Sequence, residues 1–124
     1  MDMNIHESAE DYLEAILKIR EKKGMVRSID VVNELGFSKP SISVAMKRLR
    51  ENGYITMDGD NYISLTDTGR DIAEKIYTRH KTLTDFFIRL GVDEETAEKD
   101  ACKIEHDLSD ITFEKIADFI GSLK

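Results

Sequence analysis

Two stretches decide the fold: Gly36-Phe37-Ser38-Lys39-Pro40-Ser41, and, one helix length later, Asn52-Gly53-Tyr54-Ile55-Thr56-Met57-Asp58-Gly59-Asp60-Asn61-Tyr62-Ile63-Ser64-Leu65. Ser38 is suited to an N-cap, and Pro40 falls in a first helical turn, where its missing N–H costs nothing. The helix opened there runs through Ile42, Ala45, Met46 and Leu49 and stops at Asn52-Gly53. Upstream, Ile29, Val31, Val32 and Leu35 mark a shorter helix that Ser28 can cap and Gly36 ends. Two short helices joined at Gly36-Phe37-Ser38 form a helix-turn-helix pattern. The period then changes to two short β-prone runs around Asp58-Gly59, a hairpin signal. A helix-turn-helix followed at once by a hairpin predicts a winged helix.

Working outward, Tyr12, Leu13, Ile16, Leu17 and Ile19 recur at helical spacing, predicting a first helix over 7–22 that Gly24 ends. Thr66-Asp67-Thr68-Gly69 opens a long helix over about 67–90, with Ile72, Ile76, Leu83, Phe86, Phe87 and Leu90 apolar. Two further helices follow, over about 93–107 and 110–123. In the last, Ile116, Phe119, Ile120 and Leu123 make an apolar stripe. Two short helices cannot enclose it, so burial against a second copy of the chain is expected. The fold class is thus mainly α with a small β-hairpin. A winged helix-turn-helix domain is expected over residues 1–66, and a second, helical domain suited to dimerisation over residues 67–124.

The chain has 124 residues, room for one compact unit or two small ones sharing a helix. Its balance of apolar and charged residues, and the lack of any run near the roughly 18 apolar residues of a membrane helix, predict a soluble protein. The acidic N-terminus has no apolar h-region and there is one cysteine, so a reducing cytoplasm is expected. The net charge of -7 conceals an asymmetry: residues 1–17 carry -5, residues 18–57 carry +5, residues 58–90 carry -1 and residues 91–124 carry -6. A basic block between acidic ends suits a nucleic-acid-binding head attached to a second unit, although a lysine-rich solvated face would look the same.

In the third helix Ser38, Lys39, Ser41 and Ser43 lie near the start, with Lys47, Arg48 and Arg50 further along. Residues at the start of such a helix meet base edges in the major groove, and basic residues hold phosphates. Arg27 joins this set, and Pro40 and Val44 offer methyl-type contacts. Capping alone also accounts for Ser38, and the two roles are compatible. Farther along, Cys102, Glu105 and His106 stand at offsets that place all three on one helical face. Thiolate, carboxylate and imidazole together suit a divalent transition metal. The bland alternative is a buried small cysteine beside a surface Glu-His pair. Asp11 and Glu14 share a face of the first helix, and the long helix adds His80. His6 has no identifiable partner and reads as solvated.

Several segments occur in order: Ser8-Ala9-Glu10-Asp11-Tyr12-Leu13-Glu14-Ala15-Ile16, Ser38-Lys39-Pro40-Ser41-Ile42-Ser43, Leu65-Thr66-Asp67-Thr68-Gly69, Arg79-His80 and Ala101-Cys102-Lys103-Ile104-Glu105-His106-Asp107-Leu108-Ser109-Asp110. Together they resemble the diphtheria toxin repressor and manganese transport regulator family of metal-dependent repressors, in a short form without the C-terminal SH3-like domain. The resemblance implies a main metal site from Asp11, Cys102, Glu105 and His106, with Glu14 and His80 lining a neighbouring site. Asp11 follows the manganese branch, where the iron branch has Met. Cys102 follows the iron branch, where the manganese branch has a bridging Glu. Thr84 and Glu98 stand where the iron branch places a Glu and a His of its second site.

The resemblance implies a homodimeric repressor of metal-uptake genes, activated by Fe(II) or Mn(II) and bound to a palindromic operator in double-stranded DNA. Zn(II), Co(II) or Ni(II) would also bind in vitro. No membrane partner and no organic substrate are expected. A competing reading is a winged-helix regulator with a non-metal effector or none. An enzyme using Cys102 and His106 is disfavoured, because Glu105 competes for the same pocket and no phosphate loop or serine elbow is present.

Overall fold

The computed structural model describes residues 2–123, with side chains from residue 9 onward; His6, expected to be solvated, lies outside the described side chains. Among the described residues the elements are α1 (Asp2–Lys23), α2 (Ser28–Leu35), α3 (Lys39–Glu51), β1 (Ile55–Met57), β2 (Ile63–Leu65), α4 (Asp67–Arg89), α5 (Glu94–Ile104) and α6 (Asp110–Ser122). They form two compact units, residues 1–74 and residues 75–124. No described helix is long and apolar enough to cross a membrane.

The first unit is a winged helix-turn-helix. Gly36 ends α2 at φ 75°, a left-handed conformation that costs glycine nothing, and its N–H returns to the Val32 carbonyl. Ser38 then caps α3, its Oγ accepting the Ser41 N–H at 3.3 Å, and Pro40 sits in the first turn. Spacing along α3 sends Ile42, Met46 and Leu49 inward. They meet Leu13, Ile16 and Ile19 of α1, Val31 of α2, and Ile55, Ile63 and Leu65 of the hairpin in one core. β1 and β2 pair antiparallel, Ile55 opposite Leu65 and Met57 opposite Ile63. The outer side of β2 is also engaged, since Ile63 N–H donates to the Val26 carbonyl at 2.7 Å.

One local expectation is corrected. Arg27, not Ser28, occupies the N-cap of α2, because the Asp30 carboxylate accepts the Arg27 backbone N–H at 2.9 Å and draws Ser28 into the first turn. In the wing turn the left-handed residue is Asn61 (φ 66°). There the Asp58 carboxylate accepts the N–H groups of Asp60 and Tyr62 at 2.9 and 3.0 Å, so the turn is organised by a side chain.

The passage from wing to α4 explains Leu65-Thr66-Asp67-Thr68-Gly69. Thr66 donates its hydroxyl to the Gly53 carbonyl at 2.7 Å and its N–H to the Tyr54 carbonyl at 3.1 Å. The same hydroxyl oxygen accepts the Gly69 N–H. A Cβ on Gly69 would lie 2.0 Å from the Tyr54 oxygen, so only glycine fits.

The second unit holds the later turns of α4 with α5 and α6. Ile76, Leu83, Ala97, Ala101 and Ile120 are its buried apolar residues. Asp93 and Ser109 cap α5 and α6, accepting the N–H groups of Thr96 and Thr112. The predicted stripe of α6 is split: Ile120 is buried, whereas Phe119 and Leu123 are 54% and 47% exposed.

Candidate functional site

The outward side of α3 follows from its inward side. With Ile42, Met46 and Leu49 buried, Pro40, Val44 and Lys47 project opposite them, flanked by Ser43 and Arg48. Arg27, Ser38, Lys39, Pro40, Ser41, Ser43, Lys47, Arg48 and Arg50 are all exposed. Some are already oriented. Ser38 and Ser41 share an Oγ–Oγ hydrogen bond of 2.9 Å. The Arg50 guanidinium contacts Met57 Sδ at 3.8 Å, and that of Arg27 lies 4.3 Å over the Tyr62 ring. The helix and the wing thus each hold an arginine at the hairpin.

Asp11 and Glu14 are borne by α1 of the first unit. Glu14 is buried, with Lys18 Nζ 3.7 Å from its carboxylate, and Asp11 is half-buried. Between them Tyr12 packs edge-on against Phe37, and burial, with the Asp11 charge second, pushes its hydroxyl above the usual tyrosine range.

The second unit gathers His80, Glu105 and His106. Glu105 has no exposed surface. One carboxylate oxygen, Oε2, lies 2.9 Å from His80 Nδ1, and the other, Oε1, lies 3.5 Å from His106 Nε2. The His106 side chain is also buried, whereas Cys102 is exposed. This inverts the bland alternative, which had the cysteine inside and the Glu-His pair outside. Cys102 Sγ nonetheless lies within 4.8 Å of a Glu105 carboxylate oxygen, as the shared helical face led one to expect. α5 ends at Ile104, with Glu105 as its C-cap and His106 in the following turn, because the Glu105 carbonyl goes to Arg79 instead of continuing the helix.

A divalent transition metal fits these residues. Glu105 Oε1 is buried and takes no hydrogen bond from any described residue, an arrangement that is costly for a carboxylate unless a cation meets it. Imidazole, carboxylate and thiolate donors together suit Fe(II), Mn(II) or Zn(II).

Arg79 is the residue that sequence reasoning missed. It is buried, donates to the carbonyls of Glu105 and Leu108, pairs with the Asp110 carboxylate, and faces the Phe113 ring. Lys75, with Arg79 second, holds the Asp110 carboxyl below the usual range. The only signal in the sequence was its place beside His80.

Residues 4–62 match the iron-dependent repressor N-terminal DNA-binding domain, and residues 66–124 match the iron-dependent repressor metal-binding and dimerisation domain. An uncharacterized HTH-type transcriptional regulator of Methanocaldococcus jannaschii is 36% identical over 120 residues, covering 95% of this chain and 96% of that protein. The HTH-type transcriptional regulator MntR of Bacillus subtilis is 32% identical over 113 residues, covering 91% of this chain and 80% of that one. A solved manganese-dependent transcriptional repressor, in complex with manganese, is similar at a TM-score of 0.82 and 29% identity, across 91% of this chain and 52% of its own. The chain spans about half the length of that structure and of two other matched structures, the manganese regulator SloR and the metal-dependent transcriptional regulator MtsR. It belongs to the iron-dependent repressor family, a family of transcriptional regulators in which a DNA-binding domain precedes a metal-binding and dimerisation domain.

Proposed function

We propose that the chain is a metal-activated repressor of metal-uptake genes, acting in the cytoplasm as a homodimer on a palindromic operator. Residues 1–66 read DNA and lend Asp11 and Glu14 to the ion site, and residues 67–124 supply its other ligands and join two copies. The observation that carries this reading is Glu105: a fully buried carboxylate between two imidazoles, in the half that matches a metal-binding domain.

The ion set is Asp11, Cys102, Glu105 and His106, with Glu14 and His80 at a neighbouring position. Fe(II) or Mn(II) would supply positive charge among these acids, the thiol and the imidazoles. Without it the carboxylates would repel one another, and α1 has no electrostatic reason to adopt one arrangement with the helices after Asp67. DNA requires two recognition helices about 34 Å apart in matched orientation, so ordering α1 strengthens binding without a new DNA contact. Lys39, Lys47, Arg48, Arg50 and Arg27 would take phosphates. Ser38, Pro40, Ser41 and Ser43 would approach base edges. The exposed Phe119 and Leu123, with the exposed Ile111 at the start of the same helix, supply apolar surface for the second copy.

The test is an anaerobic calorimetric titration of chelator-treated protein with Fe(II) and Mn(II), repeated on Cys102→Ala. Saturable binding that the variant loses supports the site. No binding of either ion removes the metal switch and leaves a winged-helix DNA binder with another signal.

A further inference from the structure

The turn from α5 to α6 is tied down by one side chain from α4. Arg79 Nη1 donates to the Glu105 carbonyl at 3.1 Å and to the Leu108 carbonyl at 2.7 Å, while Nη2 pairs with the Asp110 carboxylate. The carbonyls at a helix C-terminus have no partner within the helix, and a cation placed there also meets the negative end of its dipole. The next residue, His80, holds the same glutamate from the other end, its Nδ1 2.9 Å from Oε2. Two consecutive residues of α4 thus grip Glu105, one by its backbone and one by its side chain. Glu105 Oε1 is the oxygen left without a hydrogen bond, buried and 3.5 Å from His106 Nε2.

We propose that Arg79 is a positioning residue for metal binding, fixing the backbone of Glu105 so that Oε1 is presented beside His106; this rests on the metal-site reading above. The role calls for arginine. Three acceptors from separate points of the turn are met by one planar, many-donor fork, and a lysine ammonium, a single point on a flexible stem, cannot span them. The grip also reaches His106, the residue after Glu105 in the same turn. A side chain that only filled space would have no reason to place its donors on the carbonyl of the buried acid.

The test compares Arg79→Lys with Asp110→Asn in the full chain. The first keeps a charge but loses the fork. The second loosens the same arginine on the side away from Glu105. Mn(II) affinity is measured by anaerobic calorimetry, and the metal-free proteins are compared by thermal unfolding and by amide hydrogen exchange at residues 106–108. The expected result is that Arg79→Lys weakens Mn(II) binding about 10- to 100-fold and speeds exchange in the turn, while Asp110→Asn stays within about threefold of wild type even where its Tm falls as far. Wild-type affinity in a folded Arg79→Lys protein overturns the inference alone. So does a loss of affinity that merely follows Tm in both variants. A wild-type chain that binds neither Mn(II) nor Fe(II) overturns the metal reading, and this inference with it.

Discussion

Replacing Gly69 with alanine tests the junction between wing and α4. In an ordinary helix the change is favourable by about 1 kcal/mol, because glycine carries the larger entropic cost of ordering. Here the new methyl would lie 2.0 Å from the Tyr54 oxygen and 2.9 Å from its carbonyl carbon, both backbone atoms, so no side chain can turn aside. Either the first turn of α4 or the strand entry at Tyr54 must move. That motion pulls on the Thr66 N–H bond to Tyr54 and the Thr66 hydroxyl bond to Gly53. Overpacking costs about 1–3 kcal/mol and each weakened hydrogen bond up to about 1 kcal/mol, so the net effect is a loss of about 2 kcal/mol despite the helix-propensity gain. For a unit of this size that corresponds to a fall of about 8–16 °C in Tm. Far-UV circular dichroism melts of wild type and Gly69→Ala read it directly. A variant as stable as wild type, or more so, would show that the close approach does not constrain the junction.

Lys47→Ala should weaken operator binding while leaving the melt unchanged, and should reduce the slope of log affinity against log salt by about one. An unchanged slope would mean that Lys47 touches no phosphate. The second case is a pH effect. The Lys23 ammonium, 2.6 Å away, and the Arg27 N–H hold the Asp30 carboxyl below its ordinary value. The stability this gives is fully present above the unfolded-state value of about 3.9 and is lost as pH falls through the lower folded-state value. Asp30→Asn should therefore melt earlier than wild type at pH 7 and lose less stability on acidification below about pH 4; parallel acid profiles for the two proteins would refute the assignment.

The winged helix was legible because its determinants are local. Gly36, Ser38, Pro40 and the Asn52-Gly53 stop each act within a few residues, and all fall at the ends of the observed helices. The misplaced cap at Ser28 shows the limit of such reading: a carboxylate three residues after the N-cap, that of Asp30, took the backbone N–H and shifted the helix start by one. In the candidate site, residue types and spacing pointed to Cys102, Glu105 and His106. Which of them is buried was not legible, because it depends on contacts spanning 25 residues from His80 and 26 from Arg79. No periodicity reports a partner so far away. The end of α5 was overrun for the same reason, since the group that stops it lies on another helix.

The bond from Ile63 to Val26 bears on how copies of this chain avoid one another. A two-stranded ribbon standing alone offers backbone donors and acceptors along both outer edges, ready to template a strand from another molecule. Here each strand is only three residues long, and one edge donor of β2 is already taken by the chain itself. The hairpin is therefore a poor seed for sheet extension from one copy of the chain to the next.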